Sequence, residues 1–354
     1  MAEQSLTDTL LETAIAEKAS DLHISVGHPP TLRVSGRLIP LAKHKVLDEK
    51  ATREIAIQLL TQEQQERLAK EKEIDFSYNF RGVARFRVNI FHQRESISCA
   101  LRLIPSAIPT IEDLNLPQTL NRFAQANQGL VLITGPSGHG KSTTLAALID
   151  QINRTRAVHI ITIEDPIEYV FEDNKSIVDQ REVYQDTLSF TKALRATFRQ
   201  DPDVIMVGEM RDAETIATAI TAAETGHLVF ATLHTNSAAQ TIHRVVDSFA
   251  AEQQDQIRAQ VSSSLLGVVS QRLIPRLQGG LIPACEVLLA TPAVGTLVRD
   301  GKVHEIPLVI ETSAELGMIS LNRSLANLVR TKEISLERAL AYTQNPSELR
   351  SLTS

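Results

Sequence analysis

A glycine-rich run, Gly135-Pro136-Ser137-Gly138-His139-Gly140-Lys141-Ser142-Thr143, separates an apolar stretch, Gly129-Leu130-Val131-Leu132-Ile133-Thr134, from a helical pattern that runs from Leu145 to Ile152. No other feature constrains the fold of this 354-residue chain so tightly. GxxxxGK[ST] between a buried strand and a helix is the pattern of a phosphate-binding loop. Its glycines let backbone N–H groups turn inward around phosphate oxygens, and the positive end of the helix dipole adds to them. Lys141 would neutralise the β- and γ-phosphates of a nucleotide, and Ser142 would offer its hydroxyl to Mg²⁺. His139 is expected to point outward from the crowded loop rather than to do chemistry.

Such a loop needs partner acids, and two strand-like runs end in carboxylates. Asp203-Val204-Ile205-Met206-Val207-Gly208-Glu209 places Glu209 where it would hold Mg²⁺. Ile161-Thr162-Ile163-Glu164-Asp165-Pro166 ends in Glu164, with proline stopping the ladder. In a parallel sheet both strand ends lie beside the loop, so Glu164 could orient or deprotonate an attacking water. A third run, Leu228–Leu233, carries His227 before it and His234 after it. Either imidazole could hydrogen-bond a γ-phosphate and report its loss, or both could simply be satisfied strand-end histidines. Zinc is not indicated, because the pair brackets a strand and no further ligands lie at metal-binding spacing.

Around these motifs the chain reads as two folded parts. Hydrophobic residues make up 43% and charged residues 22%, enough apolar surface for two cores. Residues 1–104 suggest a small α/β domain: a helix over 6–19, strands over 22–26 and 31–34, and a polar helix over 48–71. A hairpin of 75–80 and 84–91 around Arg81-Gly82 and a strand over 97–104 complete it. Prolines 105, 109 and 117 mark 105–117 as a linker. From 118 to 354, β-branched runs alternate with helical patterns, which predicts a mostly parallel sheet covered by helices. Lys plus Arg total 36 against 42 Asp plus Glu, which argues against a nucleic-acid binder. The only cysteines are Cys99 and Cys285, too few for a disulfide framework or a zinc knuckle. With no secretory signal pattern and no run of 18 apolar residues, a cytoplasmic protein is expected.

Four elements stand in a fixed order: GPSGHGKST (135–143), TIEDPIEYV (162–170), DPDVIMVGEMRD (201–212) and TGHLVFATLHTNSAAQTIHRVVDSF (225–249). Together they resemble the Walker A, Asp box, Walker B and His box of the secretion-superfamily ATPases. ASDLHISVGHPPTLRVSGRL (19–38), GVARFRVNIFHQ (82–93) and ATPAVGTLVRDGKVHEI (290–306) narrow the resemblance to the retraction motors of type IV pili. The resemblance implies a PAS-like domain followed by a RecA-like P-loop domain, assembled as a homo-hexamer. It further implies ATP and Mg²⁺ as ligands, and a ring at the cytoplasmic face of the inner membrane. There it would engage a pilus platform protein, act on the pilin filament indirectly and work with a paralogous ATPase. By the same resemblance, Arg87 and Arg102 match positions that contact nucleotide held by a neighbouring subunit. Arg85 and Arg87 share one face of their strand, with Phe86, Val88 and Ile90 on the other. Pilus-assembly and type II secretion motors fit less well, since they carry a longer N-terminal extension and a four-cysteine zinc module. One departure stands out: retraction motors carry Ala-Ile-Arg where this chain has Ala293-Val294-Gly295. With His139, that departure leaves an accessory paralogue as the alternative to the main motor.

Overall fold

The computed structural model describes residues 5–34, 36–105 and 107–353. The chain divides into two compact units, Met1–Ala107 with Asp165–Val170, and Ile108–Glu164 with Phe171–Ser354. Among the described residues no helix is long and apolar enough to cross a membrane.

In the first unit six strands form one antiparallel sheet: β1 (Asp21–Ile24), β2 (Thr31–Val34), β3 (Arg37–Pro40), β4 (Glu73–Phe80), β5 (Ala84–Gln93) and β6 (Ser96–Ile104), in the order β3-β2-β1-β6-β5-β4. Alternation in β5 buries Phe86, Val88 and Ile90 and leaves Arg85 and Arg87 on the opposite, half-buried face. The β4–β5 reversal falls at Arg81 (φ 53°) and Gly82 (φ 71°), as the residues suggested, and the Val83 N–H closes it onto the Phe80 carbonyl at 2.9 Å. Two positive φ values match the twist of the flanking strands. Where one helix is expected over 48–71 there are two, Glu49–Leu59 and Gln62–Glu71. Thr61 is the cause. Its hydroxyl accepts from Gln64 N while the Gln64 side chain accepts from Thr61 N, a capping box that starts a new helix. The short strand β3 was not legible because all four of its residues are exposed, so no face leaves a periodic signal.

The second unit is built on seven strands: β7 (Gly129–Thr134), β8 (His159–Glu164), β9 (Ile177–Glu182), β10 (Val204–Val207), β11 (Leu228–Leu233), β12 (Leu265–Pro275) and β13 (Leu281–Leu289). Their order is β13-β12-β7-β11-β10-β8-β9, and every pairing is parallel except β12 with β13. The expected mostly parallel α/β sheet is thus the architecture found. Strands β7, β10 and β11 are buried at every residue and β8 at all but its first, which is why they read as continuous apolar runs. Helices cover the sheet and bury Leu148, Ile220 and Ile242 in its core. Pro283 sits inside β13 because that strand is an edge, where a missing N–H is tolerated.

At Gly267 the β12–β7 register shifts, and a Cβ there would meet the Leu288 carbonyl at 2.5 Å and the Phe123 ring at 2.6 Å. Overpacking of this kind costs about 1–3 kcal/mol. Gly267→Ala is therefore expected to lower the urea midpoint of the chain by a corresponding amount, read by circular dichroism; an unshifted midpoint would contradict the packing.

Candidate active site

Strands β7, β11, β10 and β8 are adjacent and parallel, so the segments that leave them emerge at one edge of the sheet. Those segments carry, in spatial order, the glycine loop, His234, Glu209 and Glu164. In sheets of this kind ligands bind outside the carboxyl ends of the strands.

The glycine loop turns through three positive φ values, 143° at Gly135, 76° at Gly138 and 80° at Gly140. A Cβ on Gly135 would stand 2.4 Å from the Gln271 carbonyl oxygen, so only glycine lets the loop lie against β12. Gln271 grips it further: its Nε2 donates to His139 O at 2.9 Å, and its Oε1 accepts from Thr144 Oγ1 at 2.7 Å. The imidazole of His139 does not point outward as expected. Its Nδ1 accepts from Leu273 N at 2.9 Å, and burial, with Arg272 and Lys141 nearby, holds its pKa below the usual histidine value. The half-buried ring is a tie between loop and strand.

The helix Lys141–Thr155 starts from Gly140 with no side-chain cap, whereas Ser189, Asp212 and Ser237 cap the helices that follow them. Its first N–H groups are thereby offered to an anion rather than to a capping oxygen. Lys141 is buried, and its Nζ donates to the carbonyls of Gly135 at 2.9 Å and Pro136 at 3.0 Å. Ser142 and Thr143 are half-buried in the same turn.

A chain of charges runs along the edge from that ammonium. Lys141 Nζ lies 3.4 Å from His234 Nδ1, Ser137 Oγ also 3.4 Å from it, and His234 Nε2 meets Glu209 Oε1 at 3.0 Å. Glu209 Oε2 is paired with Arg211 at 2.8 Å. Burial would raise the Glu209 pKa, but Arg211 and His234 outweigh it and hold the carboxyl below its ordinary value. Glu164 is buried on the next strand but one from His234, and its Oε1 accepts from Thr162 Oγ1 at 2.7 Å and Gln180 Nε2 at 3.1 Å. A Cβ on Gly208 would stand 3.1 Å from the Ile163 carbonyl oxygen, so this glycine lets the segment leading to Glu209 lie close against β8.

His227 is not brought to this edge. It precedes β11, at the amino ends of the strands, about 20 Å from His234 at a strand's rise per residue. There its Nδ1 lies 2.9 Å from the Ala222 carbonyl and its ring stands edge-on to Phe198. Parallel polarity separates the two histidines. Arg87 and Arg102 lie opposite each other on β5 and β6 of the first unit. Arg87 donates to Asp75 at 2.5 Å and forms an ion pair with Glu168 at 3.5 Å; Arg102 donates to Asp21 at 2.9 Å. Cys99 and Cys285 are buried, both thiols pushed up to about 12 by burial. Gln271, Thr162, Gln180 and Arg211 were not foreseen. Only Arg211 left a trace, as the cation two residues after Glu209.

A cavity of about 300 Å³ opens beside the loop, bounded by Thr143, Leu116, Leu273, Arg276 and Pro283.

The Type II/IV secretion system protein family matches residues 2–315. The chain is 48% identical over 339 residues to the type IV pilus retraction ATPase PilT of Pseudomonas aeruginosa, covering 95% of this chain and 98% of that one. To the type IV pilus ATPase PilU of the same organism it is 42% identical, covering 97% and 90%. A crystal structure of the pilus retraction motor PilT with bound ADP superposes with a TM-score of 0.91 at 44% identity, covering 99% of this chain and all of that one. With such coverage, and with the glycine loop and its partner acids in place, the chain belongs to the Type II/IV secretion system protein family of ATPases.

Proposed function

We propose that this chain is an ATP-hydrolysing motor that powers retraction of type IV pili as a homo-hexamer at the cytoplasmic face of the inner membrane. The single observation that carries the reading is the alignment of Lys141, His234, Glu209 and Glu164 along one sheet edge, in a chain so similar to a retraction ATPase. Backbone N–H groups of 135–143 and the uncapped helix start receive the phosphates. Lys141 Nζ exchanges the Gly135 and Pro136 carbonyls for β- and γ-phosphate oxygens. Ser142 and Glu209 are the oxygen donors that suit Mg²⁺, which would neutralise phosphate charge there. Glu164, fixed in rotation by Thr162 and Gln180, orients the attacking water. His234 stands between Lys141 and Glu209 and so registers the presence of a γ-phosphate. The cavity beside Thr143 takes the base. Work reaches the pilin filament indirectly, through an inner-membrane platform protein and alongside a paralogous ATPase.

A second reading, an accessory subunit of the main motor, is favoured by Gly295. It lies inside the helix Pro292–Arg299, where the Ser262 hydroxyl donates to its carbonyl at 2.7 Å. Turnover by the isolated protein separates the two: robust ATP hydrolysis supports the motor, and its absence the accessory role. Gene deletion tests the cellular side. Abundant unretracted pili without twitching support retraction, and absent pili would overturn it.

Three outcomes test the residues. Lys141→Ala should abolish hydrolysis and strongly weaken nucleotide binding; a variant with normal turnover would remove the loop from the mechanism. Glu164→Gln should bind ATP with Mg²⁺ yet hydrolyse it about 10²–10⁴-fold more slowly, whereas Glu209→Ala should also raise the Mg²⁺ requirement. Reversed phenotypes would exchange the two roles. Finally, Arg87 and Arg102 are assigned to nucleotide bound by a neighbouring subunit. Arg87→Ala/Arg102→Ala chains and Lys141→Ala chains should each be nearly inactive, and mixed rings should regain activity; assembled mixed rings that stay inactive would defeat the assignment.

A further inference from the structure

Three consecutive residues of β12 make unusual use of the strand. Gln271 is buried, and its side-chain amide is satisfied at both ends by the glycine loop and its helix, through His139 O and Thr144 Oγ1. Its carbonyl oxygen stands only 2.4 Å from where a Cβ on Gly135 would be. Leu273 gives its backbone N–H to the His139 ring. Between them Arg272 faces the other side of the sheet, as alternation requires. There its Nη1 donates to Asn236 Oδ1 at 2.9 Å, and its Nη2 lies 3.4 Å from Asn236 O. Asn236 follows His234 by two residues. On that same side the half-buried Glu286 of β13 accepts the Ala238 N–H at 2.6 Å, at the start of the helix Ala238–Asp247. A single stretch of strand therefore holds the loop that bears Lys141 with one face and the loop that bears His234 with the other.

We propose that Gln271 and Arg272 form a strut that sets the spacing between the phosphate loop and the His234 loop, acting as positioning residues for nucleotide turnover. The proposal rests on the nucleotide-site reading above and deepens it. The two faces have separable jobs. Gln271 keeps the phosphate loop in its binding geometry, so its loss falls on affinity. Arg272, through Asn236, keeps His234 between Lys141 and Glu209, so its loss falls on the chemical step. A misplacement of about 1 Å at a reacting centre can cost about 10²-fold in rate.

Steady-state ATP turnover and nucleotide binding of the full chain would be measured for Gln271→Ala, Arg272→Ala, Asn236→Ala, Arg272→Ala/Asn236→Ala and Asn236→Asp, with Lys141→Ala alongside. Asn236 is exposed, so its variants fold even where Arg272→Ala suffers from removing the positive charge that acts on Glu286. Gln271→Ala should raise the KM for ATP. Asn236→Ala and Arg272→Ala should leave KM near that of the unsubstituted chain and lower kcat by up to about 10²-fold. The double variant should be no slower than the slower single, because Arg272→Ala already removes the side-chain contact that Asn236→Ala cuts. Asn236→Asp, which keeps an acceptor at the same place, should recover turnover. Unchanged kcat in Asn236→Ala, or losses that add in the double variant, would overturn the strut while an inactive Lys141→Ala left the nucleotide site standing. Undiminished turnover in Lys141→Ala would overturn the nucleotide-site reading itself.

Discussion

The approach of the Gly135 backbone to the Gln271 carbonyl is the contact on which the rest of the second unit depends. A side chain at 135 would push the loop off β12, and with it the start of the helix Lys141–Thr155. Lys141, Ser142 and Thr143 all sit on that first turn, so their placement follows from one backbone clearance. The parallel sheet supplies the rest. Because β7, β11, β10 and β8 run the same way, every loop that leaves them opens on the same side, and no long connection is needed to gather the charges.

Along that edge polar groups meet in series, each touching the next. Nδ1 of His234 faces the Lys141 ammonium, and Nε2 faces the Glu209 carboxylate. Arg211 then balances the second oxygen of Glu209. Each member thus has an opposite charge or a dipole on either side. The line of groups is thus held in place by contacts within the protein itself.

What the sequence made legible follows burial. Strands buried on both faces, such as β7 and β11, read as unbroken apolar runs, so the strands and the segments that leave them could be located in the sequence. Strand β12 hid because it is polar where it works: Ser270, Gln271 and Arg272 interrupt its apolar residues, and Gln271 and Arg272 are satisfied by partners far away in sequence. Strand β9, with Asp179, Gln180 and Arg181 on an edge, hid for the same reason, although Gln180 helps to fix Glu164. His227 and His234 look equivalent in sequence, since each brackets β11. Only strand polarity tells which end meets the phosphate loop. His139 was misjudged because its acceptor role depends on a backbone N–H supplied more than a hundred residues later.

The same weighing of partners bears on the arginines of the first unit. Arg102 is largely exposed, with 69% of its side chain accessible, and an exposed ion pair contributes about 0–1 kcal/mol. Asp21, its partner, also has Arg33 at 3.7 Å, so releasing Arg102 does not leave that carboxylate alone. Moving Arg102 from Asp21 to a more highly charged phosphate therefore costs little. Arg87 is held differently. Although burial acts against its charge, the hydrogen bonds and proximity of Asp75, together with Glu168, keep its pKa above the ordinary value. It stays charged and is fixed in direction by two acids. Lying opposite each other across β5 and β6, the two make a pair in which one arginine is anchored by two acids and the other is held by a single exposed ion pair, a division that accords with the proposed role of the pair toward nucleotide on another subunit.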